Sequence, residues 1–220
     1  MPKVTQEYID NKKRMIVEAC MRVCKRKPVE MVTMTDVIEE TGLSQGGIYR
    51  FYKDLDEILR DMILEMRVRY NIMEDTDRIF KYSTDLPPAE VIRQMCDMLA
   101  SALEEHLMDL QKLNFDLTVL AINEPERIEK ILGTITTESN MSHLMNATRE
   151  GFIRAQKEGK IHPVTDIDSI LNFMSASSNG ILFNCIICSC YPQGMPGIKS
   201  DPKELYGTLA EAMIRLLGVN

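Results

Sequence analysis

Residues 33–52, TMTDVIEETGLSQGGIYRFY, constrain the fold more than any other stretch of this 220-residue chain. They read as two short helices joined by a tight turn. Thr33 is placed to cap the first helix, with Asp36 three residues on as its capping-box partner. Met34, Val37 and Ile38 give that helix one apolar face. Thr41, Gly42, Leu43 and Ser44 break it. Gly42 suits the left-handed conformation that ends a helix, and Ser44 suits the cap of the next. In the second helix Ile48 and Phe51 point inward, leaving Gln45, Gly46, Tyr49 and Arg50 to point elsewhere. This is the layout of a helix-turn-helix, whose second helix enters the major groove of DNA. An ordinary helical hairpin would carry the same apolar pattern.

The charge distribution bears on that choice. A net charge of −7 argues against indiscriminate nucleic-acid binding. Yet residues 1–55 hold ten Lys/Arg against eight Asp/Glu, while residues 56–220 hold sixteen against twenty-five. Lys12, Lys13, Arg14, Arg22, Lys25, Arg26 and Lys27 lie on or beside the first helix. Such asymmetry is expected when one end of a molecule meets phosphates; a solvated helix face would look the same. The length suits one small and one medium domain. No stretch is expected to reach the apolar length of a membrane span, and the charged start lacks a signal peptide, which places the chain in the cytoplasm with no membrane partner. Six cysteines are then reduced thiols rather than a disulfide framework.

Only helices are predicted, about nine of them. The first covers residues 6–26 and the helix-turn-helix supplies the next two. A long helix runs from Leu55 towards Phe80, with Leu55, Ile58, Leu59, Met62, Met66, Tyr70 and Met73 at helical spacing. Residues 83–88 interrupt it. Further helices are predicted over 89–106 and 110–122. Another, capped by Asn123, heads for Lys157 with a break open near Gly133 or Asn140. Thr165 and Asp168 open a helix from Ile167 to about Cys188, residues 191–197 form a loop, and Asp201 with Pro202 opens the last helix. The domains are expected to be 1–55 and 56–220.

The run from Thr33 to Val37, then Gly42-Leu43-Ser44, then Gly47-Ile48-Tyr49-Arg50-Phe51-Tyr52, resembles the DNA-binding domain of the TetR family of bacterial transcriptional regulators. The match is good over about the first 60 residues; beyond them only length and layout agree. Ile38 stands where the family usually has a small Ala, and Leu55 where it usually has a phosphate-binding Lys, so Lys53 is the nearest substitute. The resemblance implies an N-terminal three-helix domain that binds a double-stranded operator, and a larger helical domain that binds a small-molecule effector and forms a homodimer. Gln45 would read a base edge and Arg50 a guanine or a phosphate. Gly46 and Gly47 would allow close backbone approach. Thr35, Tyr49 and Lys53 would sit on phosphates, with Thr33 and Ser44 beside them.

The resemblance also implies a dimer seam on the last two helices, here Met174, Ser178, Ile181, Leu182, Leu209, Met213 and Leu216; burial inside one chain is the alternative. It further implies an effector pocket. Met62, Met66, Met95, Leu99, Phe115, Met145, Phe152 and Phe173 are the large apolar residues on helices that should converge there. Sixteen methionines suit an adaptable apolar surface, although a Met-rich core would have the same composition. The function expected is a repressor released by a small apolar or aromatic inducer. Cys185, Cys188 and Cys190 leave open a thiol- or metal-sensing regulator instead. No enzyme is expected: the three histidines are isolated, and no phosphate-binding glycine loop or nucleophile elbow is present. Neither a cofactor nor a metal is predicted.

Overall fold

The computed structural model describes residues 5–82, 86–106, 110–191, 193, 197 and 200–219. The interruption predicted at Ser83-Thr84-Asp85, and Pro192, Gly194, Met195 and Pro196 of the predicted loop, lie outside the described residues. Among those described there are eleven α-helices and no strand. They are α1 (Gln6–Arg26), α2 (Met34–Thr41), α3 (Gln45–Tyr49), α4 (Leu55–Arg69), α5 (Met73–Asp77), α6 (Pro88–His106), α7 (Lys112–Asn123), α8 (Pro125–Leu132), α9 (Asn140–Lys157), α10 (Ile167–Cys190) and α11 (Pro202–Leu216).

The count exceeds the expected nine because two predicted helices divide. The helix from Leu55 does not run unbroken to Phe80. α4 ends at Arg69, and the Tyr70 carbonyl accepts a hydrogen bond from Asn140 Nδ2 instead of continuing the helical ladder. Asn71 Oδ1 then accepts from the Met73 amide at 2.9 Å, a local turn that starts α5. α5 passes directly into one π-turn, Arg78–Tyr82. The second division lies where the sequence left a break open, with Ser139 capping α9 by accepting from the Ser142 amide at 3.1 Å. Two caps are corrected. Asn123 does not cap α8, because its amide donates to Glu30 Oε2 at 2.9 Å. Asp166, not Thr165, caps α10, accepting from the Ser169 amide at 2.8 Å.

The helices form two compact units, Met1–Arg69 with Lys112–Thr137, and Tyr70–Gln111 with Glu138–Asn220. In the first, α1 packs on α2 and α4 around Ile16, Cys20, Val23, Val37, Ile48, Ile58, Leu59 and Met62. α7 and α8 return to this unit from far along the chain. Arg127 of α8 donates from Nε to Asp56 Oδ1 of α4 at 2.8 Å, and Lys112 of α7 donates to the Cys24 carbonyl at 3.4 Å.

In the second unit α11 lies along α6 and against α10. The core gathers Ile92, Met95, Cys96, Leu99, Leu144, Phe152, Ile170, Met174, Tyr206 and Met213. The chain after α11 pairs with the connector before α10: the His162 and Val164 amides each donate at 2.9 Å, to the Leu217 and Leu216 carbonyls. Gly218 fits this pairing through its positive φ of 57°, and a Cβ there would stand 2.1 Å from the His162 carbonyl oxygen. Backbone cannot give way as a side-chain tip can. Gly218→Val should therefore cost at least about 2–3 kcal/mol, the strain and overpacking terms together, visible as a lower Tm by calorimetry.

α10 departs from one further expectation. It is 24 residues long and apolar enough, by length and composition, to cross a membrane. In the second unit, however, it packs against α9 and α11 through Ile170, Leu171, Met174, Ile181 and Cys185. It is a core helix whose exposed side mixes Phe173, Ala176, Gly180 and Phe183 with Asn172 and Asn179.

Candidate functional site

The helix-turn-helix is built as its sequence suggests. Thr33 Oγ1 accepts from the Asp36 amide at 3.3 Å, and the Thr33 amide donates back to Asp36 Oδ2 at 2.8 Å, closing the capping box. The Lys27 ammonium, 2.7 Å from the same carboxylate, and then the Thr33 hydroxyl and amide, hold Asp36 at about 2, well below the ordinary carboxylate value. Gly42 ends α2 at φ 67°, and Ser44 Oγ accepts from the Gly47 amide at 3.2 Å to start α3. Ile48 is fully buried, whereas Gln45, Gly46, Tyr49 and Arg50 are exposed. Phe51 is only half-buried. The inward aromatic is Tyr52, 1% exposed, whose hydroxyl donates to Asp61 Oδ2 at 2.9 Å. Burial and that carboxylate both raise its pKa.

The two glycines of α3 differ. A Cβ at Gly47 would press on Ser44 Oγ at 3.2 Å, so the cap itself favours glycine there. A Cβ at Gly46 would meet nothing within 4 Å. Its backbone lies open beside Gln45. Thr35 is exposed on α2, and Thr33 and Ser44 are exposed although their hydroxyls serve the caps. Lys53 is exposed with its ammonium 3.3 Å from Glu57. Several cations on or beside α1 also form ion pairs within the unit. Arg22 and Arg26 both bind Glu40, Lys27 binds Asp36, and Lys13 lies 3.7 Å from Asp61. Arg14, Arg22 and Arg26 are all exposed.

The residues predicted to line one effector pocket are divided between the units. Met62 and Met66 are buried in the first, where Phe115 of α7 is half-buried. Met95, Leu99 and Phe152 are buried in the second, Met145 is half-buried, and Phe173 is 49% exposed. The second unit carries a cleft of about 580 Å³, counted out to its open mouth. Ile79 and Phe80 of the π-turn, Val91 of α6 and Phe152 of α9 give it an apolar lining; Arg154, Glu158 and Lys160 add charge. Of these only Phe152 was anticipated. Sequence spacing gives no hint that the π-turn lies against α9, but Gly151 within an otherwise good helix is a usable signal. The Phe80 ring approaches so closely that a Cβ at Gly151 would sit 2.8 Å from it.

His143 fixes the same junction. Its Nε2 lies 2.8 Å from Asp77 Oδ1 on α5 and its Nδ1 lies 3.2 Å from Glu138 Oε2. Asp77 also binds Lys81 at 2.9 Å, and Asn146 donates to Glu138 at 3.1 Å. Carboxylates at both ring nitrogens favour the imidazolium, raising the pKa above the ordinary 6.5, with Asp77 the larger cause. A folded value above the unfolded one means that this stabilisation is complete below pH 6.5 and is lost as pH rises through the folded value. The Tm difference between wild type and His143→Gln should therefore shrink on going from acid to alkaline pH. A constant difference would assign the cluster no titrating role.

On α10 and α11, the residues predicted for a dimer seam are largely used within the chain. Met174, Ser178, Ile181, Leu209 and Met213 are buried in the second unit, and Leu182 and Leu216 are half-buried. The outer face of α10 instead shows Phe173, Ala176, Gly180 and Phe183. As for the thiols, Cys185 is buried and its pKa is pushed up to about 11 by that burial, so it is a protonated core thiol. Cys188 is half-buried and Cys190 exposed. Among the described residues no group of three or more His, Cys, Asp or Glu is arranged to hold a metal ion.

A capped helix-turn-helix in one unit and an all-helical second unit with an amphipathic cleft define a class: the fold is that of TetR-type regulators. A TetR transcription regulator from Haloarcula marismortui ATCC 43049 superposes with a TM-score of 0.66 at 13% identity, covering 94% of this chain and 98% of that one. The fatty acid degradation regulator FadR from Bacillus halodurans superposes with a TM-score of 0.65 at 14% identity, covering 99% of this chain and 100% of that one. In sequence, the uncharacterised HTH-type transcriptional regulator YfiR of Bacillus subtilis strain 168 is 25% identical over 211 residues, 96% of this chain and 98% of that protein. No family model matches the sequence. The resemblance to the TetR family, good in sequence over about the first 60 residues, thus extends as a fold over 94–99% of the chain.

Proposed function

We propose that this protein is a TetR-family transcriptional regulator: a cytoplasmic homodimer that represses by binding a palindromic operator and is released by a small apolar or aromatic effector. Residues 1–55 bind the DNA, and residues 56–220 sense the effector and dimerise. The observation that carries this reading is α3. It turns one side chain, Ile48, wholly inward and leaves Gln45, Gly46, Tyr49 and Arg50 exposed behind a fully formed cap. Helix-turn-helix proteins contact base edges from the N-terminal residues of this helix, where Gln45 stands. Gln45 accordingly reads a base, Arg50 a guanine or a phosphate, and Thr35, Tyr49 and Lys53 grip phosphates. The open space at Gly46 suits close approach of the sugar-phosphate backbone.

Dimerisation follows from the two-fold symmetry of such operators. The outer face of α10 supports it, since Phe173, Ala176 and Gly180 at i, i+3 and i+7 make one apolar, small-residue stripe. The buried Met174, Ile181, Leu209 and Met213 stiffen the two helices from behind. Release requires the effector to favour the state that cannot bind DNA, by a coupling of about 1–3 kcal/mol. α4 closes the N-terminal segment of the first unit, and α5 with the π-turn follows it in the chain and supplies Ile79 and Phe80 to the cleft of the second. The protein carries out no catalysis in this scheme.

Incubating purified protein with sheared DNA from the source genome, and sequencing what is retained, tests the reading. Enrichment of a few fragments sharing an inverted repeat is expected. Retention indistinguishable from bulk DNA would remove operator binding.

A further inference from the structure

We infer that the cleft of the second unit binds an amphipathic monoanion, an acyl or aryl carboxylate, with its apolar body on Phe80 and Phe152 and its head at Arg154. The inference rests on the proposed function only for its consequence, that this ligand is the effector.

Three features of the cleft lead there. Its floor is aromatic and preformed. Phe80 and Phe152 meet edge to face, with centroids 6.4 Å apart and planes at 72°, and both are buried. The Phe80 ring is seated against Gly151, the one position on this face of α9 where the absent side chain leaves room for it. Ile79 and Val91 continue the apolar wall, so a hydrocarbon or aryl body is the matching partner.

The backbone that carries Phe80 is irregular in a directed way. A π-turn at Arg78–Tyr82 follows α5 directly, and such turns occur frequently at functional sites. Here it delivers Ile79 and Phe80 together into the cleft. The turn is held from outside by the Asp77 to His143 contact, and from within by Arg154, whose Nη2 donates to the Phe80 carbonyl at 2.8 Å.

Among the described residues lining the cleft the charge is net positive. Glu158 and Lys160 are paired at 2.8 Å and cancel, and Lys160 with Arg154 keeps Glu158 ionised. Among the described lining residues two cations, Arg154 and Lys160, then stand against one carboxylate, and Arg154 is the cation bonded at Phe80. One carbonyl bond fixes an edge of its guanidinium, and the planar fork carries more N–H donors than that bond uses. A carboxylate fits such a fork; an ammonium would be repelled. Pro88 and Val91 bring the first turn of α6 to the same cleft, and its N-terminal partial charge acts in the same direction.

Calorimetric titration of the full chain with decanoate, and separately with decylammonium, both below their micellar concentrations, tests this. Wild type should bind decanoate saturably and at least tenfold more tightly than decylammonium. Arg154→Gln keeps a donor for the Phe80 carbonyl and removes the charge; it should lose that preference, with decanoate about tenfold weaker. Ala155→Trp should fill the cleft and abolish binding of both. Should Ala155→Trp unfold, the exposed Arg154→Gln variant still decides. Absence of saturable decanoate binding, or equal affinity in wild type and Arg154→Gln, would overturn the site. These titrations contain no DNA. Decanoate binding without enrichment of any genomic fragment would keep the site and lose the regulator; enrichment without decanoate binding would do the reverse.

Discussion

Gly180→Glu should convert the protein from a dimer to a folded monomer and lower its operator affinity roughly 10²–10⁴-fold, the avidity lost when two half-sites are no longer bound together. Gly180 lies exposed on α10 with nothing within 4 Å of a Cβ built there. Replacing a helical glycine with glutamate raises helix propensity by about 0.5–1 kcal/mol, so the isolated chain has no reason to unfold. Across a two-fold seam the carboxylate occurs twice, facing the apolar stripe of the other copy. Desolvating each costs several kcal/mol without a partner. Ile181→Glu, one residue on, has a different fate, because Ile181 is 8% exposed within the core of its own unit. It should lose cooperative unfolding altogether. Analytical ultracentrifugation with circular dichroism separates the two results. A Gly180→Glu protein that sediments as a dimer would move the interface off this face of α10.

Gln45→Ala should relax base preference at one position in each half-site. The lost bidentate contact to adenine amounts to about 1–3 kcal/mol of discrimination per half-site. Gln45 is exposed at the first position of α3 and no part of the cap depends on it, since Ser44 Oγ closes that turn with Gly47. The change should therefore leave stability untouched. Tyr49→Phe serves as its contrast. Removing a hydroxyl aimed at a phosphate should weaken every sequence alike, by about 1 kcal/mol, without altering the preferred bases. Competition against a randomised half-site library distinguishes these outcomes. Unchanged affinity and unchanged preference in Gln45→Ala would exclude α3 as the reading element.

What the sequence revealed was local. The capping box at Thr33 and Asp36, the left-handed Gly42 and the Ser44 cap each involve residues within four positions, where spacing and chemistry suffice. Helix ends and caps depart from such spacing where a partner distant in sequence decides the outcome. The apolar stripe after Leu55 runs on past Tyr70, but Asn140 takes the Tyr70 carbonyl and the helix ends there. Asn123 has the composition of a cap, yet Glu30 holds its amide.

The candidate sites follow the same division. Exposure of Gln45, Tyr49 and Arg50 was readable because Ile48 fixes the inward face of a single turn. Which residues of α10 are buried in its own unit is not readable in this way, since that helix carries apolar residues on several sides and periodicity cannot say which side meets its own core. The pocket was harder still. Helical spacing marks Phe115 as a large apolar residue but not which unit holds it, and α7 returns to the first. The cleft that is present depends on Phe80 meeting Gly151, residues 71 positions apart in the chain.

Hydroxyl-radical footprinting of the full-length protein on an enriched genomic fragment tests operator binding by α3 most directly. Two protected patches on one face of the duplex are expected, related by two-fold symmetry and centred about 34–36 Å apart, the spacing of two recognition helices one turn from each other. Both should lose protection together in Gly180→Glu. A single asymmetric patch, or uniform protection that persists in Gly180→Glu and Gln45→Ala, would contradict a dimeric helix-turn-helix repressor.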